Sequence, residues 1–207
     1  MLKKIKSWIL PKEIDFFESL RQQSLMTTKI IDELADFYLT NPSKDSKKIF
    51  DLIDEEKIIR KSNLIELNST FITPVDKEAI SRAYVHLHWI VLSTKHLVVE
   101  INIYKIFELK NYYRIFELLQ QEMQALSAGF RLLNNKQFDK ILEFVHQVIN
   151  LDDLLIKEYA ELLIRLFKEE NMGKVLEHKE ILSQMREISK QIHICSNQLE
   201  DIVFKMN

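Results

Sequence analysis

The sequence predicts an all-α fold, a bundle of six long helices, and three observations carry that prediction. Only 2 glycines and 3 prolines occur in 207 residues, too few turn-formers for a many-stranded sheet or barrel. Hydrophobic residues make up 46% of the chain, enough apolar side chain to bury a proper core in one domain, residues 1–207. Those apolar positions recur in steps of three and four, which lays them along one face of each helix.

The first helix is expected from about Pro11 to Leu39. Proline suits a first turn, where its missing N–H is not needed, and Glu13 and Asp15 favour a helix N-terminus. Phe16, Leu20, Thr27, Ile30, Ile31, Leu34 and Tyr38 mark its inner face. Thr40-Asn41-Pro42-Ser43 breaks the pattern and offers a new N-cap, so a second helix should run to about Asn68. Ile49, Leu52, Ile59 and Leu67 define its face, which also admits Glu55 or Glu56 and Asn63. Thr73-Pro74-Val75-Asp76 supplies a cap, a proline in first position and an acid three residues after the cap, and begins helix three. Its seam is Ile80, Ala83, Leu87, Ile90, Thr94, Leu97, Ile101 and Tyr104.

A weaker break at Leu109-Lys110-Asn111 precedes helix four, with Ile115, Leu118, Leu119, Met123, Leu126 and Phe130 inward and Gly129 as a local weakness; Asn134-Asn135 closes it. Helix five should span about Lys136 to Glu170, with Gly173 as the stop before helix six at about Lys174 to Lys205. The segment lengths suggest two three-helix halves, 1–108 and 109–207.

Composition also narrows function. A net charge of −2 gives no overall footprint for nucleic acid. The single Cys195 cannot form an internal disulfide and fits a reducing, cytoplasmic setting. Residues 1–10 lack a signal peptide's long apolar run, but their lysines with Trp8-Ile9-Leu10 could touch an anionic membrane surface peripherally. Leu87 to Phe107 is interrupted by Lys95, His96, Glu100, Asn102 and Lys105, which makes it a core helix and not a membrane span.

In helix five, Phe138, Ile141, Val145, Val148, Leu155, Tyr159, Leu162 and Leu166 form the seam, and Asp152 completes its rhythm. A carboxylate there needs a metal, a basic partner, a hydrogen-bond donor or water. His86 and His88 lie two apart and so point to different faces, which rules out a His–His clamp. His88 could join a ligand from another helix, or simply pack beside Trp89; His193, one turn after Ser189, reads the same way. No His-Glu-x-x-His, Gly-rich phosphate loop, Gly-x-Ser-x-Gly or Cys-x-x-Cys occurs, so an enzyme is the least favoured class.

The segment Leu67-Asn68-Ser69-Thr70-Phe71-Ile72-Thr73-Pro74-Val75-Asp76-Lys77-Glu78-Ala79-Ile80 resembles the signature of the PhoU-like family termed domain of unknown function 47. Phe16-Phe17-Glu18-Ser19-Leu20 is similar to that family's beginning, and Lys179 through Lys205 to its last helix. The resemblance implies a PhoU-like six-helix bundle of two three-helix repeats, partnered with a Pit-type inorganic phosphate transporter or another phosphate-sensing membrane protein. It also implies acidic motifs on the inner helices that hold iron or other metal clusters. Here the implied positions fall on Ile53, Glu55 and Lys57 in helix two and on His88, Trp89 and Leu92 in helix three. In the second half they fall on Asp152 and Ile156, then on Lys190, His193 and Ile194. Losing most of the carboxylates removes the hard oxygen ligands, so no metal cluster or other cofactor is expected, and Asp152 could instead pair with Lys190 or Lys57.

The leading expectation is a non-enzymatic accessory protein of phosphate transport, cytoplasmic or peripheral to the inner face of the membrane. One alternative is a reduced metal site of Glu55, His88, Asp152 and His193, whose mixed donors would suit zinc or iron. Another is an interaction module with a different partner. Surface stripes on the helices leave room for a homo-oligomer.

Overall fold

The computed structural model describes residues 14–40 and 45–207. Six α-helices account for nearly all of them: α1 (Phe16–Thr40), α2 (Lys47–Ser69), α3 (Lys77–Tyr104), α4 (Tyr113–Arg131), α5 (Phe138–Leu166) and α6 (Met172–Met206). Short 3-10 turns at Lys110–Tyr112 and Leu133–Asn135 lead into α4 and out of it. Among the described residues there is no strand.

Helix boundaries follow local chemistry. The Asp15 carboxylate accepts the Glu18 amide at 2.9 Å and α1 starts at Phe16; Pro11, the expected start, lies outside the described residues. Residues 41–44, with the expected Asn41-Pro42 break, and the basic segment 1–10 are likewise outside them. Asp76, not Thr73, caps α3, accepting the Ala79 amide at 2.7 Å. Thr73 instead donates its hydroxyl to the Val75 carbonyl at 2.6 Å and shapes the loop before the cap. Lys105 closes α3 in the left-handed region, with φ 59°, and the Ile106 amide reaches back to the Ile101 carbonyl. Gly173 is not a helix stop. Helix α5 has already ended at Leu166, and Gly173 sits in the first turn of α6, behind the Asn171 cap that accepts the Lys174 amide.

One continuous core runs through the bundle. Helix α1 packs on α2, α3 and α4; α3 and α5 each pack on α6, and α4 contacts both α5 and α6. The predicted inner positions of α1 are all buried, as are those of α4. So is the α3 seam apart from half-buried Tyr104. Gly129 marks a close approach, because a Cβ there would stand 2.6 Å from Leu199 Cδ2 of α6. Polar links also join the halves: Ser24 to Ser127 at 3.2 Å, Gln120 to Asp32 at 3.0 Å and Gln184 to Glu100 at 2.8 Å. No described helix is long and apolar enough to cross a membrane.

Candidate functional site

Each half of the bundle encloses a small polar cluster, and the two are built alike. In the first half, α2 contributes Glu56, whose side chain is fully buried. Its Oε1 accepts from Gln23 Nε2 of α1 at 2.9 Å, and its Oε2 lies 2.7 Å from His88 Nδ1 of α3. Gln23 also donates to the Tyr84 carbonyl at 3.0 Å and accepts from Asn63 Nδ2 at 3.2 Å.

In the second half, Asp152 of α5 takes the role of Glu56. Its Oδ2 lies 2.7 Å from His193 Nδ1, and its Oδ1 accepts the Ser189 hydroxyl at 2.8 Å. Ser189 is also 2.8 Å from Glu122 Oε1 on α4. In both halves the third helix places a histidine one turn after the residue that meets the first helix: Tyr84 before His88, Ser189 before His193. The two clusters share a layout of carboxylate, imidazole and first-helix polar group.

The two clusters differ in charge. Burial pushes the Glu122 carboxyl up to about 8, the Ser189 hydrogen bond opposes that shift, and the Asp152 charge adds to it. Glu122 is therefore mainly protonated at neutral pH, and its Oε2 has no hydrogen-bond partner. The counterpart in the first half is the neutral amide of Gln23.

Ser189, Asp152 and His193 are the residue types of a nucleophilic triad, but their connections are wrong for one. A triad serine donates to the imidazole that removes its proton. Ser189 points at two carboxylates instead and is fully buried. Cys195 is also fully buried, and burial pushes its thiol pKa up, away from the nucleophilic thiolate.

Sequence reasoning found Asp152, His88 and His193, and the structure places them in two separate pairs. Glu55 is exposed, and its neighbour Glu56 meets His88. Asp152 pairs with neither Lys190 nor Lys57, which sit beside Glu187 and Asp54 respectively. Gln23, Glu56 and Glu122 were legible by the rule that found Asp152: each completes a three–four rhythm, Leu20-Gln23-Thr27, Leu52-Glu56-Ile59 and Leu119-Glu122-Leu126.

Among the described residues no group of three or more His, Cys, Asp or Glu side chains could hold a metal ion. In each pair Nδ1 faces the carboxylate, which leaves Nε2 as the ring's free coordinating atom. One imidazole nitrogen falls short of a metal's ligand set.

The bundle superposes on the crystal structure of a PhoU-like protein from Shewanella oneidensis MR-1 with a TM-score of 0.78, covering 92% of this chain and 99% of that one. The fold is PhoU-like. Sequence identity to that protein is 14%, so the likeness is one of architecture. No protein-family model and no curated protein matches the chain. On this PhoU-like frame Ile53 is buried, while Lys57, Trp89, Ile156 and Lys190 are exposed. The positions implied to hold metal thus carry apolar groups, solvated lysines, two carboxylate-bound histidines and two carboxylates, of which Glu55 is exposed and Asp152 is engaged by His193 and Ser189.

Proposed function

We propose that this PhoU-like bundle is a non-enzymatic accessory protein of inorganic phosphate transport, acting at the inner face of the membrane by docking on a transporter or phosphate sensor. The observation that carries the reading lies in the loop between α2 and α3, within the segment that resembles the PhoU-like signature. Phe71 is 99% exposed and Ile72 88% exposed. Two adjacent large apolar side chains held in water suit contact with a partner better than stability of the free chain.

The loop is also held at both ends. Thr70 Oγ1 donates to the Glu66 carbonyl at 2.8 Å, and Val75 is buried beyond Pro74. Lys205 of α6 bridges to Asp76 at 2.9 Å. A loop fixed in this way presents Phe71 and Ile72 with little further ordering on binding.

Co-purification with a Pit-type transporter from membranes tests the reading. A Phe71→Ala/Ile72→Ala variant with unchanged helicity should weaken that association at least about tenfold, since each apolar anchor lost from a buried contact costs on the order of 1–3 kcal/mol. Unaltered phosphate uptake in a deletion strain, with no transporter recovered, would sink it.

The reduced-metal reading rests on Nε2 of His88 and of His193, the ring atoms that the carboxylate contacts leave free. Elemental analysis of protein purified without chelator tests it: stoichiometric zinc or iron that disappears in His88→Ala or His193→Ala would support it, and metal-free protein would remove it.

A further inference from the structure

At the end of the bundle away from the Phe71 loop, a cleft of about 630 Å³ opens where the 3-10 turn before α4 meets the end of α5 and the start of α6. Its walls carry Lys110, Tyr112, Tyr113, Arg165, Lys174 and His178. That volume lies within the roughly 300–1,000 Å³ of drug-sized ligand sites and is far larger than a bare oxyanion needs.

The charge there runs against the molecule's. The chain as a whole is at −2, yet three cations line this cleft against the single carboxylate of Glu169. Among the described residues Lys110 and Lys174 form no ion pair, and Arg165 reaches Glu158 and Glu161 only at 3.5 and 3.8 Å. Lys174 sits in the first turn of α6, and Lys110 just ahead of α4. Cations at helix N-termini are unfavourable for the helix itself, and an anion between them would relieve that repulsion.

Tyr112 and His178 add a hydrogen-bonded polar pair. The Tyr112 hydroxyl lies 2.6 Å from His178 Nδ1. Burial raises the phenol to about 12 and lowers the imidazole, so at neutral pH both are uncharged. In the tautomer where the phenol donates to Nδ1, the imidazole hydrogen stands on Nε2 as a further donor. Beside these polar groups lie the half-exposed ring of Tyr113 and the apolar side chains of Leu162 and Leu166.

We infer that this cleft binds a nucleoside phosphate, its phosphoryl groups between Lys110, Lys174 and Arg165 and its base against Tyr113 and Leu166. Cations gathered in a concave site suit multiply charged phosphate, and an aromatic face next to an apolar wall suits a planar heterocycle. The site does not depend on the transporter reading, since it lies at the opposite end of the bundle from Phe71 and Ile72.

Calorimetric titration of the full chain with adenosine triphosphate, with inorganic phosphate and with adenosine tests this. Saturable binding of adenosine triphosphate is expected, with the other two probes at least about tenfold weaker because each fills only part of the cleft. Lys110→Glu and Lys174→Glu alter exposed side chains and should each weaken triphosphate binding about tenfold with unchanged helicity. Tyr113→Ala should weaken the triphosphate and leave inorganic phosphate unaffected. No saturable triphosphate binding at millimolar concentration would overturn the inference, as would indifference to both charge reversals. Inorganic phosphate binding as tightly as the triphosphate would also overturn it, reducing the cleft to a simple anion site.

Discussion

Glu122 is a buried carboxyl whose charge follows pH in an accessible range. Its folded value of about 8 stands above the ordinary 4.5, so between those limits the folded chain holds a proton that the unfolded chain has released. Stability therefore falls as pH rises through that window, by up to a few kcal/mol in order of magnitude. Glu122→Gln keeps the shape and removes the titration; urea unfolding at pH 5 and pH 8.5 should show a smaller loss for this variant than for wild type. An equal loss in both would assign the slope to other groups. Asp152 is coupled to it, because its charge helps to raise the Glu122 value. Asp152→Asn should thus shift the Glu122 midpoint downward and, by weakening the pairing with His193 and Ser189, cost on the order of 1–3 kcal/mol. These groups were only partly legible in the sequence. Periodicity says that a residue faces inward, and so it exposed Asp152; it does not say which helix supplies the partner. Pairing Asp152 with Lys190 failed because Lys190 lies next to the inward Ser189 on α6, turned to solvent, while His193 one turn on faces the carboxylate.

At the scale of the helices, the seams were easier to read than the ends. Apolar spacing sums over many residues and located all six helices, whereas an end depends on one or two side chains whose alternatives sit a few positions apart. Thr73 and Asp76 are both good N-caps, and the structure uses Asp76 because its carboxylate reaches the Ala79 amide while Thr73 is engaged with Val75. Gly173 misled for a similar reason: glycine marks an end only where the backbone turns left-handed, and the two described residues with positive φ are Lys105 and Lys136. The cap at α3 is a direct target. Asp76→Ala should lower stability by about 1 kcal/mol through the lost capping bond. The Lys205 contact and the Ala79 amide hold the Asp76 carboxyl below its ordinary value, so the folded state keeps it ionised more readily than the unfolded state. The contribution is present above the unfolded value and disappears as pH falls through the folded one. Chemical denaturation near pH 7 and again near pH 2.5 should show the wild-type advantage over Asp76→Ala shrinking in acid.

Across the whole molecule, the question is whether two similar three-helix halves behave as one unit. Each half encloses a carboxylate–imidazole pair of its own, which would suit independent folding. The packing argues otherwise. Helix α1 lies against α4, α3 lies against α6, and Tyr38 of the first half stacks on Phe116 of the second with ring centroids 6.4 Å apart. Separating the halves would expose the apolar faces of four helices at once, at a cost of roughly 25 cal/mol for each Å² of apolar surface, which domains of this size do not tolerate. In a Trp8→Phe variant the single tryptophan is Trp89 of α3, so its fluorescence reports on the first half, while far-UV circular dichroism reports on all six helices. In urea the two signals should give coincident transitions, the signature of a single cooperative unit. A fluorescence transition displaced from the helical one would mean that the halves unfold separately, and that the contacts of α1 with α4 and of α3 with α6 contribute less than their buried area requires.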